Sequence, residues 1–400
     1  MQLLFLGIVF IVMLVLLAAK RPLWQAITGG LLAIALLYRI HPVTVLERAS
    51  LALTKWDNLS VLLSFYVMAY LQRMLEARKQ IQYAQNDLNR LFHNRRINAT
   101  VAPIFIGLLP SAAAMILCGD IVKEATDGYL DPVEQAVATS WFRHVPESIL
   151  PTYASVLLMH NLSGVPISGI MLGMLVPAAA IFALGYIFFI RRIPRDPGTE
   201  RSDARARDAL NLIRHLWPLP ATLILILAFK INVVFAVLIV IGLCALIYRF
   251  SPRELLPMVR SAFEVKLLLN TLLVLALKEL IAYTGVLELL PATLAALPIP
   301  EYAIFALMFF LGGIISGNTS IVAIGTPIAF ATIPSGGMKL AALLMCMAHA
   351  SNQLSPTHVC LVVASDYYKV ELGSMIRKSI LMTLLFGALM LGYYRLLLLF

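Results

Sequence analysis

HVPESILPTY (residues 144–153) and HASNQLSPTH (residues 349–358) share one frame, a His, six residues, then Pro-Thr. They lie 205 residues apart, and the same shift holds on both sides of them. Phe105 meets Phe310, Gly107 meets Gly312, Ser111 meets Ser316, Ile116 meets Ile321 and Val165 meets Val370, with no gap. A register kept over some 60 positions, between about residues 105 and 165, reads as a duplication. Both stretches sit in apolar runs interrupted by Pro146, Pro151 and Pro356. An interior proline removes a backbone hydrogen bond and costs about 3 kcal/mol in a helix. Matching breaks in two halves are the sequence pointer to discontinuous helices around a transporter's binding site.

The surrounding composition fixes the medium. Of 400 residues, 60% are hydrophobic and 13% charged, with a mean hydropathy of +0.88. Soluble domains are nearer half apolar and a quarter charged. A soluble enzyme, a disulfide scaffold and a disordered chain are thereby excluded. Long solid apolar runs also exclude an outer-membrane barrel, whose strands alternate over about ten residues. An all-α, polytopic membrane protein remains. The net charge of +10 reads as topology, since Lys and Arg are held in cytoplasmic loops. No basic stripe interleaved with aromatics points to nucleic acid.

Crossings are expected at about 3–19, 23–40, 57–76, 135–160 and 166–190, then at about 216–230, 232–248, 267–286, 339–363 and 377–398. Arg-rich residues 191–215 read as a cytoplasmic linker between a first repeat, 1–190, and a second, 216–400. Positive clusters after the third, seventh and ninth crossings agree with one topology in which both termini lie outside the inner membrane. Lys20 and Arg21 follow the first apolar run instead of preceding it, so that run reads as an uncleaved helix. Five crossings per half invert the second repeat relative to the first. The stretches 39–53 and 249–263 read as matching amphipathic interfacial helices.

Two further apolar stretches, about 101–120 and 305–330, are broken by Pro110 and by the Ser316-Gly317-Asn318-Thr319-Ser320 cluster. Irregular backbone at membrane depth is tolerated only inside protein or along a wet cavity. Each stretch is therefore expected as a re-entrant hairpin. Small-residue helix packing competes for the Ser111 end; it accounts less well for an Asn and three hydroxyls.

The expected substrate contacts are Ser111, Arg143, His144, Ser316, Gly317, Asn318, Thr319, His349, Asn352 and Thr357. Ion coupling is assigned to Glu147, His144, Thr152, Asn318, Ser320, Asn352 and Ser355, with Na⁺ at Ser316, Asn318 and Asn352 or H⁺ in its place. A charged side chain near the bilayer centre costs about 2.5–3.5 kcal/mol, so Arg143, His144 and Glu147 should face inward and pair. Asp120, Lys123, Glu124 and Asp127 read as a solvated cytoplasmic loop, and Lys278-Glu279 as polar residues of a rigid frame. Cys118, Cys244, Cys346 and Cys360 stand singly in apolar sequence and read as small buried residues, neither disulfides nor metal ligands. HExxH is absent, which removes metallopeptidase chemistry. No catalytic residue and no cofactor are expected.

The two halves, a hairpin and a broken helix in each, and the Ser-Gly-Asn-Thr-Ser run together resemble the ion transporter superfamily. That superfamily includes dicarboxylate/sodium symporters, gluconate-type permeases, arsenite pump subunits and uncharacterised integral-membrane families. The run looks like the Ser-Asn-Thr signature of the dicarboxylate branch at Ser316, Asn318 and Thr319, with Gly317 inserted. The first half keeps only Ser111 and carries His144 and Glu147 at its broken helix. The resemblance implies an elevator transporter with a dimerising scaffold and a sliding transport domain, moving a small organic anion with Na⁺ or H⁺. A channel or uniporter through the same cavity is the alternative. An intramembrane His/Glu enzyme would need an orienting group and a nucleophile that the sequence does not display.

Overall fold

The computed structural model describes residues 1–19, 21–80, 83–84, 87, 94–107, 113–195, 205–289, 298–356 and 358–399. Among the described residues the secondary structure is helical throughout, in the order α1 (Gln2–Ala18), α2 (Leu23–Leu37), α3 (Pro42–Thr54), α4 (Trp56–Ala77), α5 (Arg95–Ile106), α6 (Ala113–Thr126), α7 (Pro132–Arg143), α8 (Ala154–Ser163), α9 (Ile167–Gly173) and α10 (Leu175–Phe188). The chain continues with α11 (Arg205–Leu216), α12 (Pro218–Leu227), α13 (Val233–Ile247), α14 (Pro252–Ser261), α15 (Val265–Tyr283), α16 (Glu301–Ser316), α17 (Asn318–Thr332), α18 (Gly337–Asn352), α19 (Val359–Tyr368) and α20 (Leu372–Leu397).

Helix boundaries follow capping chemistry. At α7, Asp131 accepts from the Glu134 amide at 2.8 Å while Glu134 reaches back to the Asp131 amide, with Pro132 in the first turn. Ser251 and Glu254 repeat the box at α14 ahead of Pro252. Each box satisfies two amide donors that the first turn leaves unpaired.

Among the described residues, two helical segments, 167–188 and 372–397, are long and apolar enough to cross a membrane singly. Two bent pairs bring that to as many as four: 206–227, bent by 62°, and 318–352, bent by 102°. The ten continuous crossings expected from hydropathy are thus replaced in part by shorter pieces. A helix of 15 residues, such as α2 or α13, rises about 22 Å, short of a hydrocarbon core of about 30 Å. The linker 191–215 is also not wholly irregular, because α11 occupies its second half. Its strongly one-sided face, with Arg207 and Arg214 opposite Leu212 and Leu216, makes α11 helical where charge counts alone suggested coil.

The helices pack in two groups. α1–α4 associate with α12–α15, and α5–α10 with α16–α20. In the first group Arg78 forks onto Glu254 at 2.8 and 3.2 Å. Buried Glu279 receives Lys55 at 2.6 Å and Asn58 at 3.0 Å, so this carboxylate is paired between the halves, while its neighbour Lys278 donates to Asn161 of α8 at 3.2 and 3.3 Å. Tyr66 and Tyr70 of α4 donate to carbonyls of Val259 and Leu255 on α14. The amphipathic helices expected at 39–53 and 249–263 are α3 and α14.

In the second group α16 and α17 fold back on each other about Gly317. Gly312 faces Ile321, and Phe309 faces Gly325, with no room for a side chain between them. Gly317 has φ +84° and ψ 160°, a conformation open essentially to glycine alone. α5 and α6 make the corresponding pair: Cys118 lies against the Pro103 carbonyl at 3.9 Å. Their connecting tip, with Pro110 and the expected site residue Ser111, falls outside the described residues. Asp120, Lys123 and Glu124 belong to the last turns of α6 and not to a loop. Tyr367 bonds the Asp120 carboxylate, which anchors α6 to α19.

Candidate functional site

Helix α7 ends at Arg143 because Pro146 and Pro151 cannot continue it. His144 caps it, Pro146–Ser148 form one tight turn, and α8 resumes at Ala154. In the same way α18 stops at Asn352 and α19 starts at Val359. The first break carries Arg143, His144 and Glu147. The second carries Asn352, Gln353, Ser355 and His358. They meet in the interior.

One run of contacts joins them. The Asn318 amide, first in α17, donates to Asn352 Oδ1 at 3.2 Å. Asn352 Nδ2 donates to Glu147 Oε1 at 3.1 Å. The other oxygen, Oε2, lies 3.4 Å from His144 Nε2 and 3.7 Å from Arg143 Nη1. His144 Nε2 faces His358 Nε2 at 2.7 Å, and Arg143 Nη1 reaches Cys360 Sγ at 3.3 Å. Ser355 Oγ closes the far side by donating to the Ile314 carbonyl of α16 at 2.8 Å. The hairpin tip, both helix breaks and the start of α19 therefore share one polar centre. Arg143, His144 and Asn352 are at most 2% exposed, so the expected inward pairing of Arg143, His144 and Glu147 is what the burial cost demands.

The first hairpin reaches the same place. Tyr153 OH donates to the Gly107 carbonyl, and a side chain at Gly107 would collide with the backbone oxygen of Arg143. On the other half, Gly313 lets α16 approach Ser351 of α18. Gly107 and Gly313 are thus positions where helices touch backbone to neighbour.

Other expected contacts fare differently. The Ser316 hydroxyl donates to the Gly312 carbonyl at 2.8 Å, so its proton is committed within its own helix. Asn318 Oδ1 is buried with no hydrogen-bond partner among the described residues. Thr319 is half-buried and Ser320 buried beside it. His349 is brought to the centre's edge but not into the contact run. Its ring sits edge-on to Trp141, His144 and Phe386, with centroids at 6.5, 6.5 and 5.8 Å, and neither ring nitrogen has a partner among the described residues. Thr152 turns away from the centre to line an apolar cavity of about 320 Å³ with Phe105, Leu150, Leu212, Leu216 and Leu219. Thr357 lies outside the described residues. His358 and Cys360, absent from the expected site list, enter the centre. The spacing His358-x-Cys360 directly after the second break was the available signal.

The fold is similar to that of the Alcanivorax borkumensis YdaH transporter, whose crystal structure is described as revealing an unusual topology. The two share 14% identity, the match covers 84% of this chain and 83% of that one, and the TM-score is 0.59. The likeness is one of fold, and it goes with described helices long and apolar enough to cross a membrane. No curated protein matches it. Residues 2–397 match the family described as "Protein of unknown function (DUF401)", and over nearly its whole length the chain belongs to that family.

Proposed function

We propose that the chain is a secondary active transporter that carries a small organic anion across the inner membrane with Na⁺ or H⁺, by an elevator movement. The single observation that carries this reading is the contact run Asn318–Asn352–Glu147, which joins a hairpin tip to two helix breaks in the protein interior. Discontinuous helices meeting at one polar centre are the building plan of secondary transporters. The YdaH transporter's fold supports the same reading.

The polar centre suits an anion. Arg143 contributes a buried cation, and the first turn of α17 contributes the positive end of a helix. Inverted repeats, 1–190 and 216–400 about the 191–215 linker, supply two states of equal kind: exchanging the conformations of the halves turns an outward-facing carrier inward. Support comes from residue pairs at the repeat shift of 205, because Glu147 touches Asn352 and His144 lies beside His349. Equivalent residues touch each other only where a local two-fold axis runs. The moving body is assigned to α5–α8 with α16–α19. The frame is α1–α4 with α12–α15, the group that forms the dimer in this reading. The likeness of the Ser316, Asn318 and Thr319 run to dicarboxylate symporters favours a carboxylate cargo.

Purified protein in proteoliposomes tests this. Labelled mono- and dicarboxylates should accumulate above the outside concentration when an inward Na⁺ or H⁺ gradient is imposed, and should only equilibrate without one. Equilibration under every gradient would mean a channel or uniporter instead.

A further inference from the structure

We infer that His144, His358 and Cys360 form a binding site for a borderline-soft divalent metal ion of the Zn²⁺ type, with Glu147 as a fourth, oxygen ligand. The inference does not depend on transport. It rests on donor chemistry and orientation at the junction of α7 and α19.

One ring nitrogen each from His144 and His358 and the Sγ of Cys360 lie within 4.8 Å of one another, and the two Nε2 atoms face each other at 2.7 Å. Two imidazoles and a sulfur select Zn²⁺, Co²⁺ or similar ions over Mg²⁺ and Ca²⁺, which take oxygen. His144 is already oriented as a ligand. Its Nδ1 faces the Ser140 carbonyl, which can only accept, so the proton of the neutral ring sits on Nδ1. Nε2 is then a bare lone pair aimed at His358. A backbone carbonyl on the far nitrogen is the usual outer support of a metal-binding histidine.

The geometry needs little change. Tetrahedral bonds of about 2.0–2.1 Å to nitrogen set two nitrogens about 3.4 Å apart. The present separation is 2.7 Å. His358 precedes α19 at the end of the irregular stretch after Asn352 and is only half-buried, so it is the ring that can retreat. Glu147 Oε2 lies 3.4 Å from His144 Nε2 but outside the three clustered donors, so this carboxylate must swing toward the ion to become the fourth ligand, with Asn352 still holding its other oxygen.

Charge and protons balance. The Cys360 S–H bond breaks, the sulfur–metal bond forms, and the proton leaves to solvent. His358 moves its proton from Nε2 to Nδ1, and His144 loses none. Two anionic ligands then neutralise the dication, while Arg143, at 3.3 Å from Cys360 Sγ, remains as the cation facing them. An occupied site would tie the end of α7 to the first turn of α19.

Co²⁺ is the probe. The full chain, without a polyhistidine tag and stripped with chelator, is titrated in detergent and followed by absorbance. The expected result is one Co²⁺ per chain, the intense visible bands of a tetrahedral ion, a near-ultraviolet thiolate-to-Co²⁺ charge-transfer band, and displacement of all three by Zn²⁺. Cys360→Ala should abolish the charge-transfer band, and His358→Asn should weaken binding at least tenfold. Weak octahedral bands alone in the wild-type protein would overturn the inference whatever the variants do, since they leave the two rings as a plain hydrogen-bonded pair. A charge-transfer band that survives Cys360→Ala would overturn it as well.

Discussion

Asn352 Nδ2 donates to Glu147 Oε1 at 3.1 Å, and these two residues are separated by 205 positions, the shift that aligns HVPESILPTY with HASNQLSPTH. The residue types differ, a carboxylate in one half and an amide in the other. A carboxylate facing its own copy across an axis would leave two anions in contact. A carboxylate facing an amide makes a hydrogen bond and leaves one negative charge for Arg143. In the proposed two-repeat arrangement, divergence at this pair would let the two halves close on each other here.

Asn352→Asp should therefore be costly. It replaces the donor to Glu147 with a second acid, so either two carboxylates face each other or a proton must be taken up. Asn352→Ala removes the bond without adding charge. Leaving the Glu147 oxygen and the Asn318 amide without Asn352 costs about 1–3 kcal/mol. The aspartate variant should exceed that at neutral pH, approaching the roughly 3–5 kcal/mol of a disrupted buried charge pair. Denaturant unfolding of both variants in detergent checks the order; equal stability of aspartate and wild type would refute the contact.

Glycines at the close approaches should separate by what they meet. A methyl at Gly313 would strike the Ser351 side chain, whereas one at Gly107 would strike the Arg143 backbone oxygen. Overpacking costs about 1–3 kcal/mol. Ser351→Gly should recover part of the loss caused by Gly313→Ala, because it clears both side-chain atoms. Mutation of the Arg143 side chain should recover nothing for Gly107→Ala. Thermal shifts of the single and double variants measure the difference.

Gly317 tests backbone alone. A side chain there meets open space, yet φ +84° and ψ 160° belong to a region costing other residues about 1–3 kcal/mol. Gly317→Ala should lower stability by that amount although it clashes with nothing, and Gly317→Asn should be no milder than Ala. A neutral Gly317→Ala would mean that the hairpin turns some other way.

Much of this arrangement was legible in the sequence, and the failures are instructive. Pro146, Pro151 and Pro356 fixed where helices must stop, because a missing amide cannot be supplied from elsewhere in the chain. The burial cost of charge predicted that Arg143, His144 and Glu147 pair. His349 lies 205 positions from His144, but Trp141 and Phe386 enclose it, and no periodicity reports which neighbours a buried ring will meet. The Ser316 proton goes to the carbonyl four residues back, as a serine in the last turn of a helix readily allows, while its oxygen lone pairs stay open. Cys360 reads as inert in the sequence because its neighbours His144 and Arg143 lie more than 200 residues away, and no local sequence rule reports a contact at that separation.

The frame offers a pH prediction. The Arg78 hydrogen bonds, with help from Ser251, hold the Glu254 carboxyl down to about 2. Its folded value lies below its unfolded one, so the pair contributes stability above about pH 4.5 that is lost as pH falls toward 2. Glu254 is partly exposed, and salt should weaken the effect. Melting temperature in detergent should drop more steeply between pH 5 and pH 3 for the wild-type protein than for Glu254→Gln, and less steeply at high salt. Parallel curves for the two proteins would count against the pair.

Asn318 separates a binding role from a structural one. Its backbone amide, which any residue supplies, makes the bond to Asn352. Its side-chain oxygen is buried without a partner among the described residues. An unengaged buried carbonyl oxygen is a cost of about 1–3 kcal/mol, so removing it should not harm the fold. Asn318→Ala is expected to keep its melting temperature within a degree or two or to raise it, while gradient-driven uptake falls at least tenfold. Asn318→Asp should lose uptake too, since a second acid near Glu147 opposes an anionic cargo. Loss of stability with uptake intact would make Asn318 a packing residue and remove the hairpin tip from the proposed site.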